Sequence, residues 1–127
     1  MQEKKELSLT IKETEIHPNQ EIHGIIEVNY NERFDTIVIN SQIENSSDIF
    51  NYIQLNGKKI NHPYARLSIY KKELEEKRIV DFIAITQHLP KNDYSKVKFR
   101  VSIIQEHKEV INAILFLKIK KDKDKNL

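Results

Sequence analysis

The chain of 127 residues contains no cysteine, no tryptophan and only two glycines. The absence of cysteine excludes disulfide scaffolds, cysteine-liganded zinc and thiol catalysis. Phosphate-binding loops need several glycines close together. Because Gly24 and Gly57 lie far apart in the sequence, the familiar nucleotide-binding loops are excluded as well.

Long apolar runs are also missing. No stretch of the sequence approaches the roughly 18 apolar residues that a membrane-spanning helix needs. Residues 1–6 are polar apart from Met1 and lack the apolar core of a signal peptide. From these absences we expect a cytoplasmic protein with no membrane span.

Charge of one sign is not concentrated in any long stretch. The 21 basic and 19 acidic residues give a net charge of +2 and are mixed along most of the chain. This predicts no basic face for a phosphate backbone, so nucleic acid is an unlikely partner. Only residues 118–125 are locally basic. We assign residues 1–120 to one domain and residues 121–127 to a charged flexible tail, with electrostatic contact to nucleic acid or anionic lipid as the alternative for the tail.

What the chain does contain is apolar–polar alternation with a period of two, which is typical of half-buried strands. About eight strands are predicted, and Asn56-Gly57 is the strongest hairpin signal between them. Residues 79–86 are apolar on both faces and predict a strand covered on both sides. Residues 71–78 have helical composition but are short, which predicts one helical turn or a charged loop. The apolar stripes are Leu7-Leu9-Ile11, Ile22-Gly24-Ile26-Val28, Ile37-Ile39-Ile43, Val97-Phe99-Val101-Ile103 and Ile111-Ala113-Leu115-Leu117-Ile119.

These features predict the fold class: an all-β, immunoglobulin-like antiparallel β-sandwich. The sequence lacks the residue arrangements that common catalytic sites require. A serine nucleophile needs an adjacent base and a group that orients the base, and no serine lies in a Gly-x-Ser-x-Gly turn. No two histidines have the spacing of a zinc site, and we interpret all of them as surface residues. They are His17, His23, His62, His88 and His107. We therefore predict no catalytic residue, no metal ligand and no cofactor, hence no enzyme.

One carboxylate stands out because it interrupts an apolar strand. Asp81 lies within residues 79–86, and a buried unpaired carboxylate is costly. We expect it to point outward. If it pointed inward, it would pair with Arg66 or Arg100 as a structural ion pair.

Aromatic residues are five phenylalanines and five tyrosines. The phenylalanines, at positions 34, 50, 82, 99 and 116, are predicted core residues. The tyrosines fall near predicted loops, where such rings can anchor a partner; they are Tyr30, Tyr52, Tyr64, Tyr70 and Tyr94. Tyr70 with Lys71 and Lys72 is the one local combination of a ring and basic residues that could stack on nucleic acid.

The order of several segments resembles that of arrestin-like domains. These segments are Leu7-x-Leu9-x-Ile11, the turn Pro18-Asn19, Ile22-x-Gly24-x-Ile26-x-Val28, Asp81-Phe82-Ile83-Ala84-Ile85 with Leu89-Pro90, and Val97-Lys98-Phe99-Arg100-Val101. Asn19 replaces the usual turn glycine, and the chain has room for one sandwich where arrestins carry two. The resemblance implies a non-enzymatic adaptor and transfers no binding residue.

We therefore expect an intracellular adaptor or scaffold module. It would bind a protein partner, or a second copy of itself, through loops or an edge strand. The alternative is a sandwich that binds a small molecule or carbohydrate in a groove lined by loop tyrosines. An enzyme is a third, weaker hypothesis. The partner-binding residues are unknown from the sequence.

Overall fold

The computed structural model describes residues 5–74 and 78–122, and they form two five-stranded sheets packed face to face. Sheet A has the strand order β1-β3-β8-β5-β6, and sheet B has the order β2-β10-β9-β4-β7. The strands are β1 (Leu7–Ile11), β2 (Glu15–Ile16), β3 (Ile22–Val28), β4 (Thr36–Ile43), β5 (Asn51–Leu55), β6 (Lys58–His62), β7 (Arg66–Tyr70), β8 (Ile79–Ile85), β9 (Tyr94–Gln105) and β10 (Lys108–Lys120).

This architecture confirms the predicted β-sandwich, with ten strands instead of about eight. The two unpredicted strands are β2, which has only two residues, and β6, whose Lys58, Lys59 and Asn61 break apolar alternation. Neighbouring strands are antiparallel except β2, which pairs in parallel with the end of β10. The single helical element is a 3-10 turn at Lys71–Glu73 among the described residues. The rest of the predicted segment 71–78 includes residues 75–77, which lie outside them, as do residues 1–4 and 123–127.

The core lies between the sheets and is built from the alternating stripes. Every second residue of β3 and β9 is buried, including Ile22, Ile26, Phe99 and Ile103. Gly24 sits in the β3 stripe directly opposite Phe82 of β8. A Cβ at Gly24 would lie 2.2 Å from the Phe82 ring, so glycine makes room for that ring in the core.

Two hairpin turns use left-handed backbone. Asn56 and Gly57 have φ values of 49° and 80°, and they join β5 to β6 as the sequence predicts. Glu106 and His107 join β9 to β10 with φ values of 50° and 66°. Glutamate does not favour that conformation, whereas histidine adopts it more often than most residues do. The Asp35 carboxylate accepts a 2.8 Å hydrogen bond from the Glu106 N–H, which helps hold the turn.

The predicted burial of one strand is wrong. Residues 79–86 were expected to be covered on both faces, but in β8 only Val80, Phe82 and Ala84 are buried. Ile79 and Asp81 are exposed, because the outer face of an antiparallel sheet meets solvent. Asp81 points outward, as expected. No helix within the described residues is long and apolar enough to cross a membrane.

Candidate functional site

A polar network around the buried His88 contains three residues of catalytic type, of which Asp48 is exposed and Ser95 is buried. His88 Nδ1 lies 2.8 Å from Asp48 Oδ2, and His88 Nε2 lies 2.8 Å from Ser95 Oγ. The order Asp–His–Ser is that of a hydrolase triad. His88 is only 8% exposed, so its predicted surface position is wrong. The loop that carries it folds inward, with the His88 N–H donating to Thr86 Oγ1 at 3.2 Å and Thr86 Oγ1 donating to the Ile49 carbonyl at 2.8 Å.

The position of Ser95 argues against catalysis by this network. Ser95 is 7% exposed and faces the core side of β9, opposite Ile119 of β10. A cavity of about 540 Å³ adjoins the network, but its lining includes Asp48 and His88 and not Ser95. A substrate in this cavity would therefore meet the imidazole from the wrong side. Both ring nitrogens are occupied, so the network ties the 46–48 loop and the 86–88 segment to β9.

The electrostatics of the network agree with a structural role. The hydrogen bond from the His88 imidazole holds the pKa of Asp48 below its ordinary value, with a smaller contribution from the Ser46 hydroxyl. A Nδ1–H that donates to Asp48 leaves Nε2 free to accept from the Ser95 hydroxyl. Every polar atom of the imidazole thus has a partner.

The other predicted site residues are scattered. His17 and His23 are exposed and pair with Asp122 and Glu13, His62 Nε2 lies 2.6 Å from the Arg66 carbonyl oxygen, and His107 is in a turn. No group of three or more histidines and carboxylates with metal-binding geometry occurs in residues 5–74 and 78–122.

The five tyrosines do not line one groove. Tyr52 is fully buried in the core, so its predicted loop position is wrong, and burial raises its pKa. Tyr64 packs against His62, and Tyr30 packs near Phe34. At the Tyr70 candidate, Lys71 Nζ lies 4.7 Å from the ring centroid of Phe34, so this lysine is engaged elsewhere.

The most unusual backbone feature is the free edge of β10. This strand has 13 residues and pairs with β9 on both sides of a β-bulge at Val110. Its other side pairs only with β2, at Lys118 and Ile119, within the part of the chain that the structure describes. Residues 111–117, beyond the bulge, therefore have no hydrogen-bonded strand on that side within the described residues, although β1 of sheet A lies near β10.

The direction of the peptide groups on this edge follows from one hydrogen bond. The Lys118 N–H donates to the Thr14 carbonyl at 3.2 Å, on the side away from β9. Peptide groups alternate in direction along a strand. The N–H and C=O groups of Asn112, Ile114 and Phe116 therefore point to the free side, and each offers one donor and one acceptor.

Apolar side chains line both faces of the same edge. Ile111, Ala113 and Leu115 are half-buried on the core side. Ile114 is 44% exposed and Phe116 is 53% exposed on the outer side. The prediction of Phe116 as a core residue is wrong, because it lies between the inward positions 115 and 117.

A basic groove adjoins this edge on the outer face of sheet B. It has a volume of about 360 Å³, and we call it the Lys96–Lys118 groove. Its lining residues are Thr14, Glu15, Tyr94, Lys96, Phe116, Leu117 and Lys118. Lys96 Nζ lies 4.6 Å from the Phe116 ring centroid, and Lys118 Nζ lies 4.5 Å from that of Tyr94.

The predicted absence of a basic face is therefore wrong. Lys96, Lys98, Lys118 and Lys120 occupy alternate positions on adjacent strands β9 and β10, so the pleat brings them to one face. The charges are mixed along the sequence, but the even-numbered positions of β9 and β10 that carry lysine share one face of the sheet. Sequence reasoning missed this groove because it depends on the pairing of Lys96 with Lys118.

A second charged cluster on this face is internally neutralised. Arg100 forms a two-pronged ion pair with Glu109, whose carboxylate also accepts hydrogen bonds from Ser102 and Asn112. The hydrogen bonds from Arg100 and then Ser102 lower the pKa of Glu109 to about 2. Arg100 is thus already satisfied, unlike the groove lysines.

Comparison with known proteins shows the fold and no family. No protein-family model matches the chain, and no curated protein matches it either. The chain is similar to the human F-spondin reeler domain, with 12% identity over 93% of both chains and a TM-score of 0.55. It is also similar to a conjugative transposon lipoprotein from Bacteroides eggerthii, with 8% identity over 90% of this chain and 96% of that chain and a TM-score of 0.53.

A weaker likeness is to the Salmonella SafD adhesin, with 10% identity over 94% of this chain and all of that chain and a TM-score of 0.49, from which we draw nothing. At such identities the likeness shows a shared β-sandwich and not a shared activity. None of these three structures is an arrestin domain, and the arrestin-like resemblance stays a prediction.

Proposed function

We propose that the chain is a non-catalytic protein-binding module that takes up an extended segment of its partner as an added strand on the free edge of β10. The observation that carries this proposal is the stretch of β10 from residue 111 to residue 117, which in residues 5–74 and 78–122 has a hydrogen-bonded strand on one side only. Edge strands with unpaired peptide groups are templates for strand addition.

The other edges of the sandwich are less suited to this role. β1, β6 and β7 have five residues each, against 13 in β10. The β6 edge carries exposed Lys58 and Lys59 and ends just before Pro63, and lysine and proline both discourage strand addition. β10 is therefore the edge with the most peptide groups and apolar surface to offer.

The adaptor role, the arrestin-like resemblance and the cytoplasmic location remain parts of the same proposal. The absence of cysteine supports the location, since disulfide-free chains are typical of reducing compartments. Fractionation of source cells with an antibody against the chain tests it, and recovery in the envelope or medium would contradict it. The alternative of a tyrosine-lined ligand groove has little support, because the tyrosines lie apart.

Selection from a displayed peptide library, followed by amide hydrogen exchange, tests the binding mode. We expect selected peptides to slow exchange at the amides of Asn112, Ile114 and Phe116, because those N–H groups gain acceptors from the added strand. Slowed exchange confined to loops, or no selected binder, would overturn the proposal.

Ile114→Pro provides the matching variant. It removes one N–H that points to the free side, so the β9 pairing stays intact. We expect this variant to keep its circular dichroism spectrum and to lose peptide binding. Ile114→Val retains the N–H and serves as the control that keeps binding. Equal peptide affinity for both variants would contradict strand addition at β10.

A further inference from the structure

We infer that the segment added to β10 is acidic, with carboxylates alternating with apolar side chains, and that Lys96 and Lys118 bind the carboxylates. This inference rests on the proposed function and names the chemistry of the partner. Its starting point is an electrostatic arrangement that the isolated chain leaves uncompensated.

Lys96 and Lys118 lie directly opposite each other on β9 and β10. Like charges in directly opposed positions destabilise a sheet. Neither ammonium forms an ion pair with any residue in the described part of the chain. A carboxylate beside either ammonium would replace this repulsion with an attractive contact.

The two aromatic rings hold the ammonium groups in place. Each lysine crosses to the ring on the other strand, Lys96 to Phe116 and Lys118 to Tyr94, at 4.5–4.6 Å from the centroid. Cation–π contacts of this kind restrict long side chains that would otherwise be free. A site ordered in advance loses less entropy when an anion binds.

The chain's own β2 shows what a strand on this edge looks like. β2 pairs with β10 at Lys118 and Ile119, with Glu15 exposed on the outer face and Ile16 buried on the core side. The Glu15 carboxylate lies 3.6 Å from Lys120 Nζ. β2 is therefore a two-residue example of an acidic–apolar strand bound to a β10 lysine.

A partner strand beside Asn112–Phe116 would lie along the same edge as β2. Its outward side chains would stand next to Phe116 and the groove, because cross-strand neighbours are about 5 Å apart. Its inward side chains would cover Ile111, Ala113 and Leu115, which are only half-buried in the chain alone. The pattern seen in Glu15 and Ile16 thus continues along the edge.

Single-stranded nucleic acid fits this surface less well. Bases would need the flat faces of Phe116 and Tyr94, and the lysine ammonium groups already cover a face of each ring. Carboxylates also border the lysines, since Glu15 lines the groove and Glu44 accepts a 2.8 Å hydrogen bond from the Lys96 backbone N–H. The free peptide groups of β10 match a polypeptide backbone.

Three synthetic peptides of about ten residues test the inference, with valine alternating with glutamate, threonine or lysine. At low salt we expect the glutamate peptide to bind roughly tenfold more tightly than the threonine peptide, as two surface ion pairs would allow. The lysine peptide should bind most weakly. The difference should shrink at about 1 M salt, where the screening length is near 3 Å.

The protein variant is Lys96→Gln with Lys118→Gln, and the control is Lys58→Gln with Lys59→Gln on the β6 edge. The first should bind the glutamate and threonine peptides equally, and the control should still discriminate between them. Equal affinity of the wild-type protein for these two peptides would overturn the acidic partner and leave strand addition intact. If no peptide slows exchange at the β10 amides, the proposed function itself fails.

An oligonucleotide gives the competing outcome. We expect a single-stranded thymidine oligonucleotide of about 12 nucleotides to bind more weakly than the glutamate peptide. Tighter binding of the oligonucleotide, lost in the double lysine variant, would overturn the inference in favour of nucleic acid.

Discussion

Ser95 and Lys96 are consecutive residues of β9, but they belong to two very different polar regions. Ser95 faces the core and completes the Asp48–His88–Ser95 network, in which each ring nitrogen of the imidazole has a partner. Lys96 faces outward, where its partner on β10 is another lysine. The inner region is complete within the chain, and the outer one is not. This difference separates side chains that stabilise the fold from side chains that are available to a partner.

The largest effect is expected from the inner region. His88→Ala should lower the free energy of unfolding by about 3 kcal/mol, because it leaves a cavity and an unpaired buried hydroxyl on Ser95. Urea unfolding measures this change. Gln87→Ala, at an exposed neighbouring position, should change stability by less than about 0.5 kcal/mol.

Peptide binding by the His88→Ala protein should be unchanged at temperatures where it is folded. A loss of binding without a loss of stability would mean that the two regions are not separate in function.

An intermediate effect on stability is expected at Glu109, because its replacement removes the ion-pair partner of Arg100. Glu109→Gln should cost about 1 kcal/mol at pH 7, a value reduced for the partial solvent exposure of the ion pair. The folded pKa of Glu109 is about 2, below its ordinary value of 4.5. Its stabilising effect is therefore present above about pH 4.5 and is lost as the pH falls towards 2.

Urea unfolding of wild type and Glu109→Gln across this pH range measures the difference, which should vanish at the acid end. The same variant frees Arg100 on the outer face, so it should bind the glutamate peptide more tightly. A stability difference that persists unchanged at pH 2 would contradict the assigned ion pair.

The smallest effect on stability is expected when a substitution introduces a carboxylate into the outer region. Lys96→Glu places a carboxylate opposite Lys118 and should raise stability by about 0.5 kcal/mol at low salt, since an opposed pair of unlike charges replaces one of like charges. Thermal unfolding at low and high salt measures it. Lys96→Gln should gain less. A Lys96→Glu protein that is less stable than wild type at low salt would contradict the repulsion on which the comparison depends.

Much of the fold could be predicted because strand alternation is a local property. The stripes around Ile26 and Phe99 required only the period of two, and Asn56-Gly57 specified its own turn. β2 could not be predicted, since two residues form no pattern. The left-handed geometry of the Glu106–His107 turn could not be predicted either, because the Asp35 carboxylate that helps hold it is distant in sequence.

The candidate site could not be predicted, for a related reason. Lys96 and Lys118 lie opposite each other only because a β-bulge at Val110 shifts the register of β9 against β10 by one residue, and that bulge has no signal in the sequence. His88 and Tyr52 are predicted in or near loops, but both are buried and contact residues remote in sequence. The edge position of β10 likewise depends on the order of strands in sheet B.

The parallel pairing of β2 with β10 has a mechanical consequence. β1 and β2 follow one another along the chain, one in sheet A and one in sheet B, and β2 points in the same direction as β10. Tension that pulls β2 towards the N-terminus of the chain and β10 towards the C-terminus therefore acts along the strand axes. The bonds between the two strands are loaded together in shear and do not open one after another. The strand whose edge is proposed to take up a partner is thus also the strand that such tension would load.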